Sequence, residues 1–112
     1  MLIEHGYDAY LNAPFSNCIL DILIIMSDGT KIDFEYDGSF WHDKEQKIKD
    51  RRRDEFLKRN NFKIIRIESR RSIPTWEQIQ SEIDYLMEDK TRMFTRICID
   101  EINDNNNNKT EF

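Results

Sequence analysis

The feature that most constrains the fold is a stretch of twenty residues, 18–37, with the pattern of two strands joined by a tight turn. Residues 18–26 are apolar almost throughout, which predicts a strand that is buried on both faces. Residues 30–37 alternate between apolar and acidic side chains, the period of a half-buried strand. The segment Ser27-Asp28-Gly29 between them is typical of a turn. We therefore expect a β-hairpin.

Two registers of this hairpin are compatible with the turn. A two-residue loop would pair Asp21 with Tyr36, whereas a three-residue loop with Gly29 in a left-handed conformation would pair Asp21 with Glu35. We favour the second register because it brings the apolar residues of both strands onto one face. The other face then carries Asp21, Glu35 and Asp37, whose oxygen atoms suit Mg²⁺ or Mn²⁺. The alternative is that Glu35 and Asp37 only form the solvated face of a strand.

The rest of the chain predicts an α/β layered domain. The expected elements are the tail of a helix over Leu2–Leu11 that ends at residues 12–14, a charged helix over residues 43–60, a strand over residues 62–67 and a helix from Thr75. Thr75 and Gln78 have the spacing of a helix capping box. The chain of 112 residues suits one domain, which we assign to residues 1–102, while the Asn-rich residues 103–112 predict a disordered tail.

Charge is distributed unevenly along the chain, which carries a net charge of −5. The net charge is −6 over residues 1–42, +6 over residues 43–71 and −5 over residues 72–112. A basic segment beside an acidic one suits an enzyme that holds a cation with carboxylates and phosphates with Lys and Arg. No apolar run is long enough for a membrane span, no signal peptide is evident, and Cys18 and Cys98 predict free thiols. A soluble, intracellular protein is expected.

Two further residues have the chemistry of a hydrolytic site. His42 directly follows the hairpin, where a neutral imidazole can accept a proton from water near neutral pH. A histidine of the surface or the core is the alternative. Asp50 precedes Leu57 by seven residues, so both point to the same side of the helix and Asp50 faces inward. The alternative for Asp50 is a salt bridge with Arg53 or Arg66.

The same helix has a strongly basic first half. Its cationic residues are Lys44, Lys47, Lys49, Arg51, Arg52 and Arg53. Like charges four residues apart slightly destabilise an isolated helix, which favours an external anionic partner. Contact with the phosphates of a nucleic acid is the interpretation we favour, and a solvated helix face is the alternative.

Taken together, three segments resemble a known group of nucleases. They are FEYDGSFWH at residues 34–42, KDRRRDEFL at residues 49–57 and FKIIRI at residues 62–67. In this order and spacing they resemble the very-short-patch repair endonucleases, the related small nucleases of the PD-(D/E)XK superfamily, and the nuclease domain of phage-type homing endonucleases with an EDxHD pattern. The resemblance implies a restriction-endonuclease-like core, with a small mixed sheet and a hairpin flanked by helices. It also implies a metal-dependent DNA endonuclease.

The resemblance implies a role for each matching residue. Asp21 and the carbonyl of Tyr36 would bind the metal, Glu35 would be the superfamily glutamate, His42 would be catalytic, Asp50 would support the site, and Glu4 is a candidate for a helix glutamate. Asp37 departs from the pattern, because the superfamily often has Lys at that position and the patch-repair enzymes have His. Cys and His are too few for the structural zinc site of the patch-repair enzymes, so mismatch repair is not expected.

The implied reaction is Mg²⁺-dependent hydrolysis of double-stranded DNA, with Mn²⁺ as a substitute cation. Since no specificity module is recognisable, we expect targeting to come from a homodimer, a partner or a DNA-recognition domain outside this sequence. The expected location is a bacterial or phage-infected cytoplasm. Two alternatives remain open: a catalytically inactive nucleic-acid-binding module on the same scaffold, and an RNA nuclease.

Overall fold

The described part of the chain forms one mixed sheet with a helix on each face. The computed structural model describes residues 2–37, 44–69 and 73–99, apart from the side chains of Asp37, Lys44 and Gln46. The elements are strands β1 (Asp8–Phe15), β2 (Cys18–Ile25) and β3 (Lys31–Asp37), helix α1 (Lys44–Arg59), strand β4 (Phe62–Glu68), helix α2 (Trp76–Glu88) and strand β5 (Phe94–Cys98). The strands lie in the order β1-β2-β3-β4-β5. The fold class is therefore α/β, as predicted.

Strands β2 and β3 form the predicted hairpin with the three-residue loop. Ile22 lies opposite Phe34 and Ile24 lies opposite Ile32, which is the register that we favoured. The N–H of Met26 donates to the carbonyl of Thr30 at 2.8 Å, so the loop between them has three residues. Gly29 has a φ of 91°, the left-handed conformation that this loop requires at its last position.

Helices α1 and α2 pack on opposite faces of the sheet. Successive residues of β4 point to opposite sides, so Ile64 packs under α1 with Leu57, whereas Ile65 packs under α2 with Ile83. Both helices lie in crossovers, because β3 pairs in parallel with β4, and β4 with β5. The first crossover places α1 beside the end of the hairpin, where the predicted site residues lie.

Helix α2 begins as its sequence predicts. The Thr75 hydroxyl accepts from the N–H of Gln78 at 3.1 Å, and the Gln78 side chain accepts from the N–H of Thr75 at 2.8 Å. This is the complete capping box. Neither helix in the described ranges is long and apolar enough to cross a membrane. Cys18 and Cys98 are both free thiols, as predicted.

The prediction for the first fifteen residues was wrong. A single 3₁₀ turn at Ile3–His5 replaces the expected helix, and the expected break at residues 12–14 lies inside strand β1. Strand β1 pairs antiparallel with β2 along its length except at Asn12. Pro14 is tolerated there because β1 is an edge strand, where a missing N–H costs no ladder hydrogen bond. Pairing with the next strand across the two-residue turn Ser16-Asn17 thus overrides the local helical pattern. Strand β5, the other edge, was not predicted either.

Strand β2 also departs from the prediction that both of its faces are buried. Ile19 is 65% exposed, and Asp21 is exposed as well. The alternation of β2 is interrupted at Asp21, since Leu20 packs on the α1 side and Ile22 packs on the α2 side. On the neighbouring strand, Asn12 has a φ of 49° and is skipped in the β1–β2 register. Asp21, which lies opposite Asn12, is skipped as well, and the register is the same on both sides of this gap, so the irregularity affects both strands at the end of the β2–β3 ladder.

Candidate functional site

The candidate site lies between helix α1 and the sheet, where the inward face of the helix changes from apolar to charged. Leu57 is fully buried, and Asp54, one turn earlier, is buried too. Arg53 and Asp50 share this face and are half-buried. Asp50 and Leu57 are two helical turns apart, so Asp50 lies on the side of the helix that faces the sheet, as its spacing predicts.

Two carboxyl groups of strand β3 point into this charged layer. Asp33 and Glu35 are two residues apart and share one face of the strand. Asp33 is fully buried, and neither of its carboxylate oxygens has a hydrogen-bond partner among the described residues. Burial raises the pKa of Asp33. Burial, together with the adjacent Asp33 carboxyl, raises the pKa of Glu35 to about 9. A proton on Glu35 would satisfy Asp33, because two ionised carboxylates have no hydrogen to share.

Arg53 links this pair to strand β2. Its Nη2 atom donates to Oε2 of Glu35 at 2.6 Å and to the carbonyl of Ile19 at 3.0 Å. Its Nε atom is buried and has no hydrogen-bond partner within the described ranges. Sequence reasoning placed Arg53 among the residues that contact DNA. In the structure its guanidinium lies on the sheet side of the helix, where it offsets the charge of Glu35.

A second arginine completes the layer from strand β4. Arg66, which lies beside Glu35 in the β3–β4 register, forms two hydrogen bonds with Asp54 at 2.8 and 2.9 Å. Burial opposes the charge of Arg66, but the acidic groups of Asp54, Asp50 and Glu35 outweigh burial and raise its pKa. Arg53 binds Glu35 and Arg66 binds Asp54, and Asp50 lies close enough for its charge to act on Arg66.

Asp21 lies at the end of the hairpin ladder. Its Oδ2 atom accepts a hydrogen bond from the N–H of Tyr36 at 3.1 Å. The backbone pairs of the hairpin end at Ile22 and Phe34, so the expected pairing of Asp21 with Glu35 is replaced by this contact. Asp21 and Tyr36 both line an apolar cleft of about 680 Å³ on the α2 side of the sheet.

Asp21 and Glu35 are therefore not a hydrogen-bonded strand pair, and the side chain of Asp37 lies outside the described residues. Asp21 is nevertheless close to the charged layer, because its charge contributes to the raised pKa values of Asp33 and Glu35. The physical reason is the interruption of β2, which turns Asp21 toward the strand end rather than toward the helix. The site thus consists of a buried carboxyl pair with an exposed carboxylate at its rim.

The remaining predicted site residues lie apart from this cluster or outside the described residues. His42 and the side chains of Asp37 and Lys44 lie outside them. Glu4 is exposed on the N-terminal 3₁₀ turn. Of the α1 residues predicted to contact DNA, those that the structure shows as exposed are Lys47, Lys49, Arg51 and Arg52. These four cationic side chains lie on the solvent side of the helix whose other face carries Arg53 toward Glu35.

Sequence reasoning overlooked Asp33. The signal for it was present, because the strict alternation of residues 30–37 places Asp33 on the same face as Glu35. The pattern does not reveal that this face is covered by a helix. Without that cover, Asp33 has the appearance of a solvated strand residue.

The charges of the buried layer decide what the site can do. Within the described ranges, the three acids Asp33, Glu35 and Asp54 face the two guanidinium groups of Arg53 and Arg66. If all five groups are ionised, the layer has an excess of negative charge. Burying this charge between the helix and the sheet is unfavourable unless a proton or a cation neutralises it. The ligand atoms are carboxylate oxygens, which suit a hard divalent cation. In residues 2–37, 44–69 and 73–99, no group of three or more His, Cys, Asp or Glu side chains is arranged to hold a metal ion by itself.

Comparison with known proteins does not assign a family or a function to this site. The chain matches no protein-family model, no curated protein and no solved structure.

Proposed function

We propose that the chain is the catalytic domain of a metal-dependent DNA endonuclease of the homing type, with a restriction-endonuclease-like core. One observation carries the proposal. Glu35 and the fully buried Asp33 form a carboxyl pair under helix α1, near the exposed Asp21, and the same helix carries exposed cationic side chains. A metal-dependent nuclease requires these two features side by side, since carboxylates hold the cation and basic residues hold the phosphates.

The topology supports the proposed core. The hairpin β2–β3 is followed by helix α1 and by strand β4 in parallel to β3, which makes a mixed sheet with helices on both faces. This agrees with the small mixed sheet and flanked hairpin implied by the resemblance. The carboxyl groups lie next to the junction between the hairpin and the crossover helix, and strand ends at such junctions commonly carry functional residues.

In the proposed site, Asp21, Glu35 and the carbonyl of Tyr36 would hold Mg²⁺, or Mn²⁺ in its place. When bound, the cation would supply electrostatic stabilisation of the charge that develops on the scissile phosphate. His42 would accept a proton from the attacking water, and Asp50 would orient the histidine or a water molecule. We assign Asp37 to the same cluster.

The exposed residues Lys47, Lys49, Arg51 and Arg52 would bind the DNA backbone, together with Lys44. Arg53 would neutralise the carboxyl pair rather than contact phosphate, since its guanidinium already binds Glu35. Contacts of this kind position the duplex without reading its sequence. Sequence selection would therefore come from a homodimer, a partner or a further domain.

The test is cleavage of a plasmid with Mg²⁺, Mn²⁺, Ca²⁺ or EDTA. We expect nicking or linearisation with Mg²⁺ and Mn²⁺ only, and a loss of at least about 10²-fold in rate for His42→Ala and for Asp21→Asn. His5→Ala is a matched control, because His5 is the other histidine of the chain and stacks on Trp76 at a ring distance of 3.8 Å. Equal rates for His42→Ala and His5→Ala would refute the role of His42, and cleavage in EDTA would refute the metal.

A second candidate function is a catalytically inactive nucleic-acid-binding module. It is favoured by the ion pair of Arg53 and Glu35 at 2.6 Å, because a guanidinium already supplies part of the positive charge that a metal would bring. This candidate predicts DNA binding that is equal in EDTA and in Mg²⁺, with no cleavage under either condition. An RNA substrate is distinguished in the same assay by replacing the plasmid with structured RNA.

A further inference from the structure

Three buried polar atoms around the carboxyl pair have no hydrogen-bond partner among the described residues. They are both carboxylate oxygens of Asp33 and the Nε atom of Arg53. Each such atom costs about 1–3 kcal/mol if it stays unpaired. One of them is a donor on a cation and the other two are acceptors on an acid, so they are chemically complementary. They lie in the same layer, since the charge of Arg53 acts on both Asp33 and Glu35.

Arg53 is bound to Glu35, the residue that the proposed function assigns as a ligand of the cation. Its Nη2 atom lies 2.6 Å from Oε2 of Glu35, so a divalent cation at Glu35 would compete with the guanidinium for the same carboxylate. Asp33 lies two residues away on the same face of β3, a distance of about 7 Å along the strand. A long arginine side chain can cover this distance by a change of rotamer, which would release both present acceptors of its Nη2 atom, Glu35 and the carbonyl of Ile19.

We propose that Asp33 is a positioning residue that takes over Arg53 when a divalent cation binds at Glu35. The guanidinium moves from Glu35 to Asp33, so that Glu35 is released for the cation and the positive charges are kept apart. Asp33 thereby exchanges its contact with the Glu35 carboxyl for the N–H donors of the guanidinium. This inference rests on the proposed function, because it requires a cation at Glu35.

The first test measures the affinity for Mn²⁺ by titration calorimetry, without DNA. Asp33→Asn keeps the shape of the side chain but removes its charge, so Arg53 stays on Glu35, and we expect Mn²⁺ to bind roughly tenfold more weakly. In an Arg53→Gln background the competitor is absent, so Asp33→Asn should change the affinity by less than about twofold. Asp28→Asn, on the exposed turn of the hairpin, is the control for the change in net charge.

The outcomes separate this inference from the proposed function. If wild-type protein binds no Mn²⁺, the proposed function fails and the inference fails with it. If wild-type protein binds Mn²⁺ but Asp33→Asn weakens binding equally with and without Arg53, Asp33 acts directly on the cation and only the inference is overturned. Equal affinities of wild type and Asp33→Asn overturn it as well.

A second measurement follows the wild-type protein, with one variant used only to assign a resonance. In arginine side-chain NMR of the wild-type protein, the Nε–H resonance of Arg53 reports its hydrogen bonding, and Arg53→Lys identifies the resonance by its loss. We expect this resonance to shift when Ca²⁺ saturates the site, because Nε–H gains Asp33 as an acceptor. A resonance that stays in place at saturation would contradict the proposed movement.

Discussion

The stability of the protein should fall as the pH rises, because Glu35 holds a proton in the folded state. Its pKa is raised from 4.5 to about 9, first by burial and then by Asp33. Between these two values the folded protein binds a proton that the unfolded chain lacks. The stability linked to this proton is therefore fully present below pH 4.5 and is lost as the pH rises toward 9, at about 1.4 kcal/mol per pH unit. By about pH 7 the loss amounts to about 3 kcal/mol.

The substitution Glu35→Gln should remove this dependence. Glutamine is neutral at every pH, its amide can donate to Asp33 as a protonated glutamate would, and its oxygen can accept from Arg53. We expect the variant to exceed wild type in free energy of unfolding by less than about 1 kcal/mol near pH 5 and by about 3 kcal/mol near pH 7. The gain should be larger still near pH 8.5.

Urea denaturation in EDTA at these three pH values measures the difference. Glu55→Gln is the matched control on helix α1, since the Glu55 side chain is 55% exposed and lies 3.7 Å from Lys58. Its free energy of unfolding should stay within about 0.5 kcal/mol of wild type at each pH. A difference between Glu35→Gln and wild type that does not change with pH would refute the assignment of a proton to Glu35.

Three further predictions concern the surroundings of the site. Asp54→Ala should lower the free energy of unfolding by about 3–5 kcal/mol, because Arg66 would be left buried without its partner. Urea denaturation measures this loss, and the double substitution Asp54→Leu/Arg66→Met should recover most of it. Arg52→Ala should reduce the slope of log DNA affinity against log salt by about 1 in fluorescence anisotropy, and an unchanged slope would remove Arg52 from the phosphate contacts. Thr75→Ala should cost about 1 kcal/mol in thermal denaturation by removing the cap of helix α2, whereas Ser81→Ala on the exposed side of that helix should cost less.

Local signals in the sequence were sufficient for several parts of the fold. The three-residue loop could be predicted from Gly29 and from the strand pattern. This loop aligns the apolar faces of both strands, and it requires a left-handed residue at its last position. The start of helix α2 followed from Thr75 and Gln78, whose side chains act within one helical turn. The inward direction of Asp50 followed from its spacing to Leu57. Each of these features depends on groups that are close along the chain or on the period of one element.

Other parts depended on which segments pair in the assembled sheet. Residues 2–11 carry a helical pattern, but residues 8–15 form a strand that pairs with β2 across the two-residue turn Ser16-Asn17. Strand β5 pairs with β4 only after the whole of helix α2. The pattern of one segment does not show whether it will gain a strand partner, and this partner decides between strand and helix.

The candidate site divides in the same way. The sequence by itself determined that Asp21 and Glu35 lie near each other, through the hairpin register, and that cationic residues follow on a helix. Only the tertiary structure decided that Asp33 is fully buried, that Arg53 turns inward to Glu35, and that Asp21 sits at the rim. The physical reason is that burial depends on what covers a face. Helix α1 packs on β4, which pairs in parallel with β3, and this cover turns an ordinary acidic strand into a layer of charges that must be neutralised.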